Sequence, residues 1–136
     1  MKKKAKLALF IACVCITAAG TVIWFVWNKP HRSVEKEKGI KVTAEQLVID
    51  YELSDSVANS KYLDKAIAVS GKVAATAVNQ DGQNTVTLQS ASLLSSVYCT
   101  LKKGQPVPAA GNTVSIKGIC TGKLSDVVII DAIVEQ

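Results

Sequence analysis

The sequence predicts a mainly β protein with an N-terminal membrane-spanning helix, a short amphipathic helix and a small closed barrel of five strands. Three observations predict this fold. An uncharged apolar run near the N-terminus is long enough to cross a bilayer. Apolar residues recur at intervals of three and four over residues 43–62, and at intervals of two over residues 65–135. The 97 residues from position 40 onward can form one modest hydrophobic core.

The predicted membrane anchor comprises residues 7–27 and follows a cytoplasmic basic segment, residues 1–6. The anchor has no charged residue, and ten of its 21 residues are Leu, Ile, Val or Phe. At about 1.5 Å per residue the helix is roughly 32 Å long, close to the thickness of a hydrocarbon core. Trp24 and Trp27 stand at its C-terminal end, where indole side chains favour the membrane interface.

Flanking charge predicts the orientation of this anchor. Four lysines precede the helix, whereas the lysines of residues 33–39 are interleaved with glutamates. We therefore expect a single-pass signal anchor in the cell membrane, with a cytoplasmic N-terminus and an extracytoplasmic domain in the cell envelope. Two alternatives are cleavage by signal peptidase within residues 17–20 and lipidation at Cys13. Both place the domain on the same side of the membrane.

Residues 28–39 form a predicted linker, and residues 40–136 form the predicted domain. The linker contains one proline and alternating charges, which is typical of a solvated tether. Thr43 and Gln46 have the spacing of a helix-capping box. The sequence thus predicts a helix over about residues 43–62, either continuous or broken near Ser54.

Alternating apolar residues predict five strands, with a hairpin turn at Asp81-Gly82 and a longer connection over residues 103–111. A helix before five strands, with the longer link between the third and fourth, favours an oligonucleotide/oligosaccharide-binding (OB) barrel over a split sandwich. The inward-facing residues expected on the successive strands are Ile67, Val69, Gly71, Val73 and Ala75; Val86 and Leu88; Val97, Cys99 and Leu101; Val114, Ile116, Gly118 and Cys120; Val127, Ile129 and Ile133.

These strands resemble the tRNA-anticodon-like OB-fold family of small exported or membrane-anchored bacterial proteins. The resemblance covers residues 58–133 and is most specific at Gly118-x-Cys120-x-Gly122, followed by Asp126-Val127. Family members often carry a further cysteine in the last strand, where this chain has Ala132. The resemblance implies an OB-like fold and does not by itself imply tRNA binding.

The charge of the predicted domain argues against a polyanionic partner. The whole chain has a formal charge of +5, but residues 40–136 contain eight lysines and nine acidic residues, which gives −1. Tyr98, Lys102 and Lys123 form a candidate binding face on the barrel. The alternative is that these lysines are simply solvated. Binding of single-stranded nucleic acid needs several stacking aromatics and a positive groove, so nucleic acid is a disfavoured partner.

Cys99 and Cys120 are both expected on the interior face of the barrel. Outside the cytoplasm such a pair can form a disulfide. The alternative is two buried reduced thiols that act as small hydrophobic side chains. Two cysteines and one remote histidine, His31 in the linker, are too few for a metal site.

The sequence predicts a binding module rather than an enzyme. The domain has no histidine and therefore no set of nucleophile and base, so we expect no catalytic residues and no cofactor. The expected function is that of a membrane-anchored, non-catalytic OB-fold module that binds a protein partner or a small ligand in the cell envelope. The alternative is an accessory nucleic-acid-binding protein.

Overall fold

The computed structural model describes residues 2–28 and 33–135, which form two compact units. The first unit is a single helix, α1 (Lys2–Trp27), with no buried side chain. By length and composition α1 is able to cross a membrane. A signal sequence near an N-terminus meets the same two criteria. It contains the predicted span 7–27, with Trp24 and Trp27 exposed at its end. His31 lies outside the described residues.

The second unit is a closed barrel of five strands with a sixth strand added at its side. Neighbouring barrel strands follow the order β2-β3-β4-β6-β5, and β5 returns to pair with β2. All five pairs are antiparallel except β4 with β6. The elements are β1 (Ile40–Thr43), α2 (Ala44–Leu53), α3 (Asp55–Tyr62), β2 (Ala66–Val78), β3 (Asn84–Leu88), β4 (Val97–Leu101), β5 (Thr113–Lys123) and β6 (Val127–Glu135). The predicted fold class is therefore confirmed.

Strand β1 was not predicted. It pairs in parallel with the first residues of β2, with Ile40 opposite Ile67. Four residues with only two apolar side chains carry little periodic signal, and the pairing partner lies more than 20 residues away. Strand β3 pairs only with residues of β2 from Val73 onward, so the first half of β2 has one free edge. Strand β1 pairs with that edge.

The barrel interior follows the predicted alternation with two exceptions, both caused by bulges. Ala75 is exposed because the register between β2 and β3 shifts after Val73. Ile133 was expected to face inward, but Ala132 takes that position, and Val134 packs against the core. The cause is Asp131, whose φ of 50° adds a residue to β6 and reverses the faces that follow.

The predicted helix is divided into α2 and α3 at Ser54. Thr43 caps α2 by accepting a hydrogen bond from the backbone N–H of Gln46, as the capping box predicts. The Gln46 side chain does not complete the box, because its Nε2 donates to Asp50 at 2.6 Å instead. Ser54 ends α2 and caps α3, accepting from the backbone N–H of Val57.

The linker boundary at residue 39 is too late. Val34 is fully buried and packs with Ala66 and Ile119 on the outer side of the barrel. A turn closed by the hydrogen bond from the Lys36 N–H to the Ser33 carbonyl positions it there. Burial of this one branched side chain against Ala66 and Ile119 is enough to attach the segment to the barrel. The many charged residues of the segment give no sign of this contact.

Gly118 provides a test of how closely β5 must approach β6. A Cβ at this position would meet the Ile129 Cγ2 atom and would lie 2.8 Å from the Ile130 carbonyl oxygen. We expect Gly118→Ala to lower the free energy of unfolding by about 1–3 kcal/mol through overpacking. Urea unfolding measures this value. The control is Thr113→Ala, an exposed position on the same strand, which should change stability by only about 0.5 kcal/mol. Equal effects of the two changes would contradict the tight approach.

Candidate functional site

Two tyrosines join the helices to one end of the barrel. Tyr51 on α2 and Tyr62 on α3 are buried, with ring centroids 6.3 Å apart. The Tyr51 hydroxyl lies 3.5 Å from the Cys120 Sγ atom of β5. Burial, together with this contact, raises the pKa of Tyr51 well above its ordinary value. The tyrosine therefore stays neutral and serves as a packing residue.

A partly buried carboxylate ties α2 to α3. Asp50 accepts hydrogen bonds from the Tyr62 hydroxyl at 2.6 Å, the Gln46 amide at 2.6 Å and the Lys61 ammonium at 3.0 Å. The Tyr62 bond is the largest cause of the lowered pKa of Asp50, with Lys61 and Gln46 adding to it. Burial, and then the bond to Asp50, raises the pKa of Tyr62. The cluster fixes the angle between two short helices that would not be stable alone.

Two loops flank the helices at this end, which we call the helix-capped end: α2, α3, the β3–β4 loop (89–96) and the β5–β6 turn (124–126). The Ser92 hydroxyl of the first loop donates to the Glu52 carboxylate of α2 at 2.6 Å. Asp126 of the second loop accepts from the backbone N–H and the hydroxyl of Ser96, at 2.8 and 2.9 Å. These bonds tie both loops to the scaffold, so their tips have defined positions.

The helix-capped end carries most of the exposed large hydrophobic side chains of the barrel unit. Among the described residues of that unit, six such side chains are at least 65% exposed, and five of them lie at this end. The sixth, Val78, is in the β2–β3 hairpin at the opposite end. We call the five the apolar rim: Leu53, Val57, Leu93, Leu94 and Leu124.

A cleft of about 670 Å³ lies within the rim, between α2, the β3–β4 loop and the end of β5. Leu93 and Leu94 line one side of the cleft. The remainder is lined by charged and hydroxyl-bearing residues: Glu52, Asp55, Lys123, Tyr51, Ser92 and Ser95. Lys123 and Asp55 take part in no ion pair within the described part of the chain. The cleft therefore carries, beside its leucines, one cation, Lys123, and two carboxylates, Glu52 and Asp55, none of which takes part in an ion pair within the described residues.

The structure does not bring together the predicted binding face of Tyr98, Lys102 and Lys123. Strand β6 is parallel to β4 and antiparallel to β5, so the C-terminal ends of β4 and β5 lie at opposite ends of the barrel. Lys102 follows β4 and pairs with Glu35 at 3.9 Å, whereas Lys123 ends β5 at the helix-capped end. Tyr98 lies between them on the outer side of the sheet.

OB folds bind oligonucleotides and oligosaccharides through the face of their second and third strands, which here are β3 and β4, and β6 lies beside β4 in the same sheet. These three strands contain no lysine or arginine, and β6 contributes the acidic residues Asp131 and Glu135. Tyr98 is the only aromatic residue on them. This face therefore lacks both the stacking platform and the positive charge of single-strand binders.

Cys99 and Cys120 are buried free thiols in the structure, so the disulfide considered from the sequence is not present. Each pairs with Ile129, from opposite sides of β6. The intervening strand puts two strand spacings, about 10 Å along the sheet, between their backbones, beyond the reach of a disulfide. Burial raises the pKa of Cys99 to about 12. No group of three or more potential metal ligands occurs among residues 2–28 and 33–135.

Sequence reasoning did not find the apolar rim. Leu93 and Leu94 stand in a serine-rich loop and Leu124 in a short turn, where an isolated leucine has no periodic pattern. One signal was available in the sequence. Two consecutive leucines between polar turn residues cannot both face the core from one strand, so at least one of them is exposed.

Comparisons with known proteins agree with this fold. The tRNA_anti-like family model matches residues 1–133. No curated protein matches the chain. A crystal structure from Klebsiella pneumoniae subsp. pneumoniae MGH 78578, of a protein provisionally named a nucleic acid-binding lipoprotein, superposes with a TM-score of 0.59 at 14% identity. The alignment covers 72% of this chain and 92% of that chain, and it shows a shared fold.

The Asp50 cluster gives a pH-dependent prediction. We expect Tyr62→Phe to lower the free energy of unfolding by about 1.5 kcal/mol at neutral pH, because it removes a hydrogen bond to a charged acceptor. The Asp50 pKa lies below its ordinary value of 3.8 in the folded state. Its contribution is therefore present above pH 3.8 and is lost as the pH falls through the lowered value.

Urea unfolding of both proteins between neutral pH and strongly acidic pH measures this difference. It should shrink below pH 3.8 as Asp50 becomes protonated. Tyr98→Phe is the control, because that hydroxyl makes no hydrogen bond within the described residues. A difference that does not vary with pH would show that Tyr62 acts through packing alone.

Proposed function

The chain belongs to the tRNA_anti-like family, and from this premise we propose that it is a membrane-anchored, non-catalytic OB-fold module that binds a protein partner through the apolar rim. The observation that carries the proposal is the concentration of five exposed leucine and valine side chains at one end of the barrel. Exposed apolar side chains that are grouped on one part of a small domain are typical of an interaction surface.

The shape of the rim favours a protein over a small ligand. Small-molecule sites enclose most of their ligand in a concave, largely apolar pocket. Here the leucines project outward from two loops and two helices, and Leu93 is fully exposed. Such a surface gains apolar contact only when a partner of comparable size covers it.

The side chains of the barrel support binding rather than catalysis. Residues 33–135 contain no histidine. The nucleophilic candidate Cys99 is buried with a raised pKa, and Asp50 is held ionised by three hydrogen-bond donors. No group on this surface is arranged as a general base beside a nucleophile.

The proposed location is the cell envelope, with α1 as anchor. The four lysines before the apolar segment favour a cytoplasmic N-terminus and a domain on the other side. The Klebsiella protein with the same fold is named as a lipoprotein, which is an envelope location reached by a different anchor. Both observations support a role at the membrane surface.

Nucleic-acid binding is the second candidate, and the name of the Klebsiella protein is the observation that favours it. The charge distribution opposes it. Phosphate contacts supply most of the affinity in such complexes, and β3, β4 and β6 have no lysine or arginine to make them.

Fluorescence anisotropy with labelled single-stranded DNA and RNA tests the second candidate. We replace the four lysines at positions 2, 3, 4 and 6 by glutamine, so that the basic N-terminal segment does not itself attract the probes. We expect this chain in detergent to bind neither probe detectably at low salt, because the barrel face lacks both lysine or arginine and a stacking platform. Micelles of the detergent alone serve as the blank. An affinity that falls steeply with added salt would establish nucleic-acid binding and overturn our preference.

Site-specific photo-crosslinking in intact membranes tests the primary proposal. A photoreactive amino acid at Leu93 should give a discrete crosslinked protein species, because this side chain is fully exposed within the rim. The same amino acid at Val78, an exposed hydrophobic position at the opposite end, is the matched control. Adding Leu94→Asp to the Leu93 protein should abolish the species. A crosslink at Val78 of equal yield, or none at Leu93, would refute the proposed surface.

A further inference from the structure

We propose that the partner of the apolar rim is a second copy of this chain, so that two anchored modules pair symmetrically through their helix-capped ends. This inference rests on the proposed function, since it names the occupant of the same surface. Charge placement, the amount of exposed apolar surface and the shared anchor identify that occupant.

Charge placement makes the rim self-complementary. Asp55 and Lys123 line the same cleft, and neither takes part in an ion pair within residues 33–135. In a two-fold interface every contact occurs twice: if residue i of one copy contacts residue j of the partner, then residue j of the first copy contacts residue i of the partner. Lys123 of each copy can therefore face Asp55 of the other, and both unpaired charges gain a counterion in one arrangement.

The same charges disfavour the other occupants of an apolar surface. A bilayer with anionic headgroups would meet the carboxylates Glu52 and Asp55 beside the leucines. A nucleic acid would meet the same repulsion from its phosphates. A second copy brings the same two carboxylates, but it also brings Lys123, which offsets part of this repulsion.

The amount of exposed apolar surface suits a stable dimer. A standard interface buries about 800 Å² on each partner, and four leucines and one valine exposed by 65–101% supply a large part of that area.

The anchor lowers the cost of pairing. A membrane-spanning α1 would confine every copy to one membrane with one orientation. Confinement raises the effective concentration at which the modules meet one another. A contact too weak to hold two free domains together can therefore give a substantial fraction of dimer on the membrane. The surface therefore need not be as large or as tight as that of a soluble dimer.

The test measures the dimer fraction of the purified full chain in lipid vesicles, at several protein-to-lipid ratios, by Förster resonance energy transfer between copies labelled with a donor dye and copies labelled with an acceptor dye. The wild-type chain should give a dimer whose fraction rises with surface density. Leu93→Asp with Leu94→Asp should raise the apparent dissociation constant by about tenfold or more. Val78→Asp at the opposite end should leave it unchanged.

A charge exchange distinguishes a specific contact from general stickiness. Lys123→Asp alone and Asp55→Lys alone should each weaken the dimer, because like charges then meet across the two-fold axis. The double variant should restore it, since every copy again supplies both signs. Lys72→Asp with Asp81→Lys is the matched control away from the helix-capped end. Thermal unfolding of each variant confirms that the barrel is folded.

The outcomes separate this inference from the proposed function. Loss of the dimer in the leucine variants with restoration by the charge exchange supports self-association. A wild-type chain that stays monomeric, while Leu93 crosslinks to a different protein in cells, overturns the inference and leaves the proposed function intact. A dimer that is insensitive to the rim, with no rim-dependent crosslink, overturns both.

Discussion

The closure of the barrel by β5 is the constraint on which the rest of the structure depends. This strand pairs with β6 on one side, and its pairing with β2 on the other side joins the two ends of the sheet into a barrel. Gly118 is the point of closest approach, with Ile67 opposite on β2 and no room for a side chain toward Ile129. Closure then places Cys120 under Tyr51 and positions the helices over one end. The apolar rim is a consequence of where those helices and the two adjacent loops are held.

Much of this architecture could be predicted because its signals are local. Two-residue alternation, the Asp81-Gly82 turn and the Thr43 cap each depend on residues within a few positions of one another. The features that escaped prediction depend on partners distant in the chain. Strand β1 needs the free edge of β2, and the inward turn of Ala132 needs the positive φ at Asp131. A periodic pattern contains no information on either.

The candidate site shows the same division. The alternation of apolar residues along β4 correctly predicted Tyr98 on the outer face of the strand. The predicted face of Tyr98, Lys102 and Lys123 is not formed, and the reason is the strand topology. Lys102 and Lys123 both follow a strand, and only the parallel pairing of β4 with β6 puts those two strand ends on opposite sides of the barrel. Composition excluded a basic domain correctly, because a net charge of −1 is independent of the fold. To predict which charged residues lie close together, the strand topology must be known. To predict the apolar rim, the positions of the loops must be known as well.

The rim cannot be explained by the stability of the barrel. A leucine such as Leu93 is as exposed in the folded domain as in the unfolded chain, so its transfer from water contributes almost nothing to folding. Selection for a stable core acts on residues such as Tyr51 and Tyr62, and it leaves the composition of loop tips unconstrained. Hydrophobic side chains at loop tips instead carry a cost, since they promote non-specific association. Their burial becomes favourable only when another surface covers them, and this is the physical basis of the binding surface proposed for this end of the barrel.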